Sequence, residues 1–244
     1  MTKLLSVSVA MTTFNGEKYV SEQIRSILAQ LEPKDELIIA DDGSTDNTLQ
    51  ILEQFATEEH RVNLLRSNGI GIIKNYEKAI SACTNDLIFL SDQDDVWTPD
   101  KVRVIKAYFE REENLTLIMS DLTVVNQALE TVNESYMKMR NCSTGILKNI
   151  VKNGYVGCAL AFRSQLKEFV LPFPEGVPMH DQWLGILAEM FGKTKMVEEQ
   201  LVLYRRYEDN VTSLISNTSV LQKGMWRLKL CCHLLARRFS RRRR

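Results

Sequence analysis

The sequence predicts an α/β fold with a mostly parallel, Rossmann-like central sheet flanked by helices. The chain has 244 residues, of which 44% are hydrophobic, and this suits one large domain, alone or with an appendage. In the first half, apolar β-prone runs alternate four times with stretches of helical periodicity, a pattern typical of parallel strands joined by helices. Two of those runs end in clustered acids, and ligands of open α/β sheets bind at the carboxyl ends of strands.

The first half reads in order as four strand–helix units. Strands are expected over residues 4–11, 37–40, 61–66 and 87–90, each an apolar run bounded by turn residues. Helices are expected over residues 19–31, 49–55, 75–83 and 101–111, where apolar residues recur at helical spacing. The first turn has neither a GxGxxG nor a GxxxxGKS/T loop, which argues against a dinucleotide site or a P-loop.

The second half is less regular. Strands are expected over residues 115–125, 155–162 and 196–204, with a helix over residues 184–191 behind a proline-rich loop. The polar stretch 126–153 has no clear period, and we expect a mobile segment over the site. Residues 219–236 are expected to form a C-terminal amphipathic basic helix, which an arginine cluster follows.

Composition argues against several classes of function. The formal net charge is zero, which indicates no nucleic-acid partner. Five cysteines without CxxC spacing argue against a zinc site or a disulfide framework and fit a reducing compartment. The start of the sequence does not resemble a signal peptide, and no run of about 18 apolar residues exists, so we expect a cytoplasmic protein without a membrane span.

Three carboxylates follow the fourth predicted strand, at Asp92, Asp94 and Asp95. Acids this close repel one another unless a cation or hydrogen bonds compensate, and Asp92 and Asp94 could offer oxygen ligands to Mg²⁺ or Mn²⁺. The alternative is an ordinary helix N-terminus, since residues 98–100 can cap the next helix. That alternative accounts for Asp100 but leaves Asp92, beside the strand, unexplained.

Four motifs, taken in order, resemble glycosyltransferase family 2, whose members have the GT-A fold. The turn Thr12-Thr13-Phe14-Asn15-Gly16 resembles the family's P-T-Y-N-G turn, and Asp41-Asp42-Gly43-Ser44-Thr45-Asp46 matches its D-D-G-S-x-D motif. The segment Asp92-Gln93-Asp94-Asp95-Val96-Trp97 matches the D-x-D-D-x-W metal motif. Finally, His180-Asp181-Gln182-Trp183 stands at the acceptor-side E-D motif, in the H-D-x-W form of rhamnosyltransferase-like members.

The resemblance covers residues 4–215 and implies the domain organisation. We expect a GT-A glycosyltransferase domain over residues 1–215, with a nucleotide-sugar-binding half (1–100) and an acceptor half (101–215). An amphipathic basic tail over residues 216–244 would follow this domain.

The resemblance also implies a donor site. A carboxylate at Asp41 can accept a hydrogen bond from the N3–H of uracil or thymine, and Phe14 can stack on the base. Alternatives stay open, since Phe14 could pack in the core and Asp41 or Asp42 could cap the next helix. A divalent cation, Mn²⁺ or Mg²⁺, would sit on Asp92 and Asp94. The residues expected to bind the nucleoside diphosphate sugar are Thr12, Thr13, Phe14, Asn15, Asp41, Asp42, Asn75, Asp92 and Gln93.

By the same resemblance, Asp181 is the catalytic residue. It would take the proton from an acceptor hydroxyl as that oxygen attacks the anomeric carbon opposite the diphosphate, a single displacement that inverts this centre. The alternative is an N-cap for the following helix, and both roles can hold together. Trp183 could stack on a sugar or fill the core. The expected acceptor-binding residues are Asp95, Trp97, His180, Gln182 and Trp183.

The chain departs from the family pattern in two places. Tyr207 stands where relatives often carry a histidine that helps to bind metal or diphosphate, so metal affinity could be weaker. Arg205 or Arg206 could then offset the phosphate charge. The Q-x-x-R-W motif of processive synthases is absent, which favours transfer of one sugar per encounter.

Together these observations predict an inverting, metal-dependent glycosyltransferase that moves one sugar from dTDP-rhamnose or a UDP-hexose to a saccharide, lipid-linked acceptor in bacterial cell-surface polysaccharide synthesis. The tail would dock on an anionic membrane at the inner face of the plasma membrane, or alternatively pack on the domain with a solvated basic end. Two other functions stay open. A sugar nucleotidyltransferase would need a glycine-rich basic loop after the first strand, and a non-catalytic nucleotide-sugar-binding module would need no general base.

Overall fold

The computed structural model describes residues 5–206 and 220–241, and within them nine strands form one mixed sheet. The first half of the chain contributes β1 (Val7–Thr13), α1 (Val20–Leu28), β2 (Glu36–Asp41), α2 (Thr48–Glu58), β3 (Val62–Arg66), α3 (Ile72–Ala82) and β4 (Leu87–Ser91). The second half contributes β5 (Val96–Trp97), α4 (Lys101–Arg111), β6 (Leu115–Val125), β7 (Thr131–Asn133), α5 (Tyr136–Arg140), α6 (Ile146–Val151), β8 (Leu160–Arg163), α7 (Lys167–Val170), α8 (His180–Phe191), β9 (Lys193–Arg205) and α9 (Val220–Arg241).

The order of strands in the sheet is β3-β2-β1-β4-β8-β6-β9-β5, and β7 pairs with β6. Strands β3, β2, β1 and β4 are mutually parallel. Strand β8 is antiparallel to its neighbours β4 and β6, whereas β9 runs parallel to β6. The register pairs Thr13 with Asp41 and Met11 with Ser91, so the turns after β1, β2 and β4 meet at one edge of the sheet.

Strands β1, β2 and β4 form because their sequences suit burial on both faces, whereas the edge strand β3 is buried only at Val62. All seven residues of β1 are buried, as expected of a parallel strand covered from both sides. Strand β1 runs two residues past its predicted end, because Thr12 and Thr13 continue the pairing with β2. Helix α3 begins at Ile72, three residues earlier than predicted, directly after Gly71 with its positive φ of 81°.

Helix α8 begins at His180 and β9 at Lys193, each a few residues earlier than predicted, and two other segments of the second half differ more. The polar stretch 126–153, predicted to be a mobile segment, instead forms β7, α5 and α6. Helix α5 is tied to β6 by Asp121, which accepts hydrogen bonds from the Ser135 hydroxyl and, at 2.9 Å, from the Met137 amide. The strand predicted over 155–162 is shorter, because Gly157–Ala159 form a 3₁₀ turn before β8.

Helix α9 lies on the domain with one face. Leu230 and Leu234 are buried, and the Arg227 guanidinium donates to the Val151 carbonyl at 2.7 Å. Arg237 donates to the carbonyls of Leu171 and Pro172 at 2.8 and 2.6 Å. The packing alternative for the tail therefore holds for this face. Within the residues that the structure describes, no helix has the length and apolar character needed to cross a bilayer.

Candidate active site

Asp41 closes the turn at the end of β2. Its carboxylate accepts hydrogen bonds from the Thr13 and Ser44 hydroxyls at 2.8 and 2.6 Å, and from the amides of Gly43 and Ser44 at 3.1 and 2.9 Å. The side chain is 1% exposed. Asp41 thus joins β1 to the loop after β2, and its predicted contact with a nucleotide base stays a prediction.

Asp42 holds the next loop in place. Its two carboxylate oxygens accept hydrogen bonds from the amides of Ile70 and Gly71, at 2.8 and 2.9 Å. Neither Asp41 nor Asp42 caps α2, because the carboxylate that accepts a hydrogen bond from the Thr48 amide at the start of this helix belongs to Asp46, at 3.0 Å. The helix-capping alternative for Asp41 and Asp42 is therefore wrong, and both acids instead shape the loops around the expected base pocket.

Phe14 is 54% exposed at the same edge of the sheet, so it is not part of the core. The Gln93 side chain holds its main chain from both sides, since the amide NH₂ donates to the Phe14 carbonyl at 2.9 Å and the amide oxygen accepts from the Phe14 amide at 2.8 Å. Asn15 accepts from the Thr45 amide at 2.8 Å, and Thr12 is buried within β1. Gln93 thus ties the first turn to the acidic motif.

Asn75 is a structural residue here and not an exposed donor contact. Its side-chain NH₂ donates to the Ala40 carbonyl at 2.6 Å, and its side-chain oxygen accepts from the Ser67 hydroxyl at 3.0 Å. Only 1% of the side chain is exposed. The expectation of a nucleotide-sugar contact at Asn75 is corrected accordingly, because its polar atoms are used to join the ends of β2 and β3.

Asp92, Asp95 and Cys158 form the candidate metal centre. Their ligand atoms lie within 4.8 Å of one another, and one carboxylate oxygen of Asp95 is buried without a partner among the described residues. Burial raises the pKa of Asp92 to about 6, and the charge of Asp94 adds to this shift. The pKa of Asp95 is raised for the same two reasons. Carboxylate oxygens with an unmatched lone pair fit a divalent cation.

The structure adds Asp95 to the candidate ligands of the acidic motif. Asp95, predicted to contact the acceptor, lies inside this cluster and is 1% exposed, whereas Asp94 lies outside it and its predicted metal contact stays a prediction. Asp95 accepts from the Arg205 amide at 3.0 Å. The Tyr76 hydroxyl donates to Asp92 at 2.6 Å and fixes the orientation of that carboxylate.

Sequence reasoning missed Cys158, a member of this cluster, and Lys101, which contacts it. The Lys101 ammonium donates to the Cys158 carbonyl at 2.7 Å and lies 4.1 Å from the centroid of the Trp97 ring. Burial lowers the pKa of Lys101 to about 7. Trp97, expected to contact the acceptor, is 2% exposed and belongs to the core under the acids. No local signal marks these residues, since β8 brings Cys158 to them from far along the chain.

Arg205 is a clamp between elements and not an exposed phosphate ligand. It is 2% exposed, and its guanidinium donates to the carbonyls of Asp94 and Gln127 and to the Glu22 carboxylate. Arg206 is the better candidate, because it is half-buried and its charge acts on Asp92 to lower the pKa of that carboxyl. Tyr207, the residue in the place of the family histidine, lies outside the described residues.

Asp181 lies in the first turn of α8, where Met179 is the N-cap residue. Its carboxylate accepts hydrogen bonds from the Asn153 side chain at 2.9 Å and from the Gln182 amide at 2.6 Å. Burial raises its pKa to about 7, and the charge of Asp92 acts in the same direction. A carboxylate with a pKa near neutrality can accept a proton from a hydroxyl that attacks nearby.

Residues beside Asp181 divide between the cavity and the core. His180 is buried and stacks on Tyr76 with ring centroids 4.0 Å apart, and neither ring nitrogen has a partner among the described residues. Burial lowers the pKa of His180 to about 3, so the ring is neutral. Gln182 donates to the Asn149 carbonyl at 2.6 Å. Trp183 is 0% exposed and donates to the Val170 carbonyl at 2.9 Å, so the core alternative is the one observed.

A cavity of about 620 Å³ is lined by one residue of the acidic motif and by residues of the acceptor-side motif. Asp92 and Asp181 both line it, together with His180 and Gln182. Trp97 and Trp183 are not among its lining residues. The wall also includes residues that sequence reasoning did not assign to a site, namely Tyr136, Arg140, Lys152, Asn153, Tyr204, Trp226 and Arg227.

The chain also matches known proteins in sequence. The glycosyl transferase family 2 model matches residues 8–168. The chain is 26% identical over 212 residues to the putative teichuronic acid biosynthesis glycosyltransferase TuaG of Bacillus subtilis, covering 85% of this chain and 81% of that protein. It is 40% identical over 101 residues to the dTDP-rhamnosyl transferase RfbG of Shigella flexneri, covering 38% of this chain and 34% of that one.

Among solved structures, S. aureus TarS in complex with UDP-GlcNAc has a TM-score of 0.68 at 18% identity, covering 97% of this chain and 73% of that chain. A likeness at this identity shows a shared fold, and the GT-A fold expected from the motifs is confirmed. The chain spans between 54% and 69% of the length of the first curated relatives that it matches. With the family model covering 161 of 244 residues, from 8 to 168, the chain belongs to glycosyl transferase family 2.

Proposed function

We propose that this protein transfers one sugar from a nucleoside diphosphate sugar to a saccharide hydroxyl with inversion at the anomeric carbon. The observation that carries the proposal is the placement of Asp92 and Asp181 in one cavity. Asp92 belongs to the candidate metal centre for the diphosphate, and Asp181 has a pKa of about 7, which suits a general base.

In this proposal, Asp181 accepts the proton of the acceptor hydroxyl while the hydroxyl oxygen forms a bond to the anomeric carbon. The bond from that carbon to the diphosphate oxygen breaks, and the diphosphate leaves with the electron pair. Asn153 and the Gln182 amide hold the carboxylate through hydrogen bonds of 2.9 and 2.6 Å. The efficiency of such a base depends on the position of its carboxylate relative to the acceptor hydroxyl, and these two hydrogen bonds fix the position of the carboxylate.

Mn²⁺ or Mg²⁺ held by Asp92 and Asp95 would neutralise the charge that develops on the departing diphosphate. The donor-side turn carries the exposed Phe14 ring for a base, held by Gln93. The name of RfbG, a dTDP-rhamnosyl transferase, favours dTDP-rhamnose as donor. The UDP-GlcNAc bound to TarS favours a UDP-hexose. The name of TuaG favours a saccharide acceptor in bacterial cell-surface polysaccharide synthesis, one that a lipid could carry.

A thermal-shift panel of UDP-, dTDP-, GDP- and CMP-sugars with and without Mn²⁺ tests donor binding, because a ligand that binds only the folded state stabilises it. We expect a Mn²⁺-dependent shift with UDP- or dTDP-sugars, lost in Asp92→Asn and kept in Asp181→Asn. Turnover of the donor that binds should be lost in Asp181→Asn and unchanged in Asp100→Asn, an exposed-acid control. Equal turnover in the wild type and Asp181→Asn would exclude Asp181 as the base, and donor binding without any turnover in the wild type would instead support a binding module.

We also propose that α9 docks the protein on an anionic membrane. Opposite the packed Leu230 and Leu234, an outer stripe of α9 exposes Met225, Leu228, Cys232, Leu235 and Phe239. Lys229 and Arg238 are exposed on the same helix, and the sequence ends in arginines. An apolar stripe beside cations fits the interface of a membrane that contains anionic lipids.

Co-sedimentation with phosphatidylglycerol vesicles tests this docking. Leu228→Glu with Leu235→Glu should release the protein from these vesicles, whereas Leu147→Glu, at an exposed position on α6, should not. The wild type should bind phosphatidylcholine vesicles less well, because the electrostatic attraction is missing. Equal sedimentation of the double variant and the wild type would disprove the docking role of the stripe.

A further inference from the structure

Three cations line the rim of the cavity, and we name them the cationic rim: Arg140 at the end of α5, Lys152 directly after α6, and Arg227 on α9. They are joined through main-chain carbonyls. The Lys152 ammonium donates to the Arg140 carbonyl at 2.8 Å, and Arg227 donates to the Val151 carbonyl at 2.7 Å. Three separate elements thus bring positive charge to one opening.

None of these three cations has a carboxylate partner among the residues that the structure describes. Other basic side chains of the protein pair with carboxylates, for example Arg61 with Glu59 at 2.6 Å and Lys195 with Glu112 at 2.6 Å. A carbonyl accepts a hydrogen bond but does not neutralise the charge. Cations that line a cavity without a carboxylate partner suit an anionic ligand. Arginine in particular offers paired hydrogen-bond donors to a phosphate or a carboxylate.

The cationic rim lies on the side of the cavity where Asp181 is held. Asn153, the neighbour of Lys152, donates to the Asp181 carboxylate at 2.9 Å. The donor-side motifs lie at the edge formed by β1, β2 and β4, and the rim is built from α5, α6 and α9. Trp226, 41% exposed and adjacent to Arg227, adds an aromatic face to the same wall. Such a face suits a sugar ring.

We propose that the cationic rim binds an anionic group of the acceptor, a phosphate or a carboxylate, while Trp226 contacts its sugar. The proposal rests on the proposed function, because it assigns the acceptor side of the same cavity. The acceptor is then an anionic saccharide. The anion has two sources that share this chemistry, the phosphate that links a saccharide to a lipid and an acidic group of the saccharide itself.

Isothermal titration calorimetry on the full chain, saturated with UDP and Mn²⁺, tests the rim with defined probes. The probes are geranyl diphosphate for the lipid phosphate, glucose 1-phosphate for a sugar phosphate, glucuronate for a sugar acid, and glucose as the neutral reference. The rim variant is Arg140→Gln, Lys152→Gln and Arg227→Gln together. The matched control, Lys138→Gln, Lys148→Gln and Lys229→Gln, removes one cation from each of the same three helical regions outside the cavity lining.

We expect at least one anionic probe to bind the wild type and the control more tightly than glucose. The rim variant should bind that probe at least about tenfold more weakly, because charge-assisted hydrogen bonds are removed. The probe that binds best identifies the source of the anion. The single variants Arg140→Gln and Arg227→Gln repeat the test if the triple variant does not fold.

Three results would overturn the proposal: no anionic probe binds the wild type better than glucose, the rim variant binds as the control does, or the rim variant loses UDP affinity as well. The last result would assign the cations to the donor diphosphate. A separate titration of UDP, with Mn²⁺ present, into the wild type and the rim variant before saturation measures UDP affinity. Absence of UDP binding to the wild type there would count against the proposed function and is distinguishable from failure of the rim.

Discussion

Replacing Asp181 with asparagine should make the folded protein more stable above neutral pH while it abolishes transfer. Burial raises the pKa of the Asp181 carboxyl from 3.8 to about 7. The folded protein therefore holds this proton more tightly than the unfolded chain does. The stability linked to the proton is complete below pH 3.8 and is lost as the pH rises through 7.

The size of the effect follows from this pKa. Since a factor of ten in proton affinity is worth 1.36 kcal/mol, the raised pKa of Asp181 lowers the stability of the folded protein, relative to an uncharged side chain, by about 4 kcal/mol at pH 8 and about 2 kcal/mol at pH 5. Asparagine has the same shape and its side-chain oxygen can still accept from Asn153 and the Gln182 amide, yet it carries no charge to bury. At roughly 2–4 °C per kcal/mol, the melting temperature should rise by roughly 8–16 °C at pH 8.

Thermal and urea unfolding of the full chain at pH 5 and pH 8 measure this difference. Asp100→Asn, which removes an exposed acid, should change the free energy of unfolding by less than about 1 kcal/mol at both pH values. The reasoning is refuted if Asp181→Asn is no more stable than the wild type at pH 8, or if its advantage does not grow between pH 5 and pH 8.

Three further outcomes are expected. In a pH profile of kcat/KM, activity should fall about tenfold per pH unit below about pH 7 as Asp181 becomes protonated, and a profile that stays flat between pH 5 and 8 would contradict its role as base. Gly157→Ala would place a methyl group 2.6 Å from Nε2 of His180 and should lower the free energy of unfolding in urea by about 1–3 kcal/mol. Gly224→Ala, which has open space around it, should not destabilise the protein, and equal stability of the two variants would refute the contact. Trp183→Phe should cost about 1–3 kcal/mol, because the Val170 carbonyl loses its donor, yet leave the KM for the acceptor unchanged; a raised KM at full stability would restore the sugar-stacking role.

The donor edge of the fold could be predicted from the sequence because its signals are local. Apolar runs that end in polar residues define parallel strands, and parallel strands place their following turns at one edge. Phe14, Asp41 and Asp92 come together for that reason. The motif predicts a general base at Asp181, and that role stays a prediction, while the raised pKa of this carboxyl depends on burial that only the folded chain provides.

The remaining parts of the site depend on long-range contacts that leave no local pattern. Helices of five or six residues such as α5 and α6 are too short to show a hydrophobic period, and hydrogen bonds to Asp121 stabilise α5 from another element. The sequence predicts that Arg205 binds phosphate, because it follows a strand beside the predicted site. In the structure its guanidinium pairs with the carboxylate of Glu22, 183 residues away in sequence, at 2.6 Å. Cys158 reaches Asp92 only because β8 pairs antiparallel with β4.

The attachment of α9 has a consequence for sequence divergence among relatives. Arg227 and Arg237 hold the helix by donating to main-chain carbonyls, those of Val151, Leu171 and Pro172. A carbonyl is present whatever side chain its residue carries, so substitutions in the supporting loops leave these bonds intact. The side chains of Val151 and Leu171 can therefore change while α9 keeps its position on the domain, so the placement of Trp226 and Arg227 in the cavity wall does not depend on those two side chains.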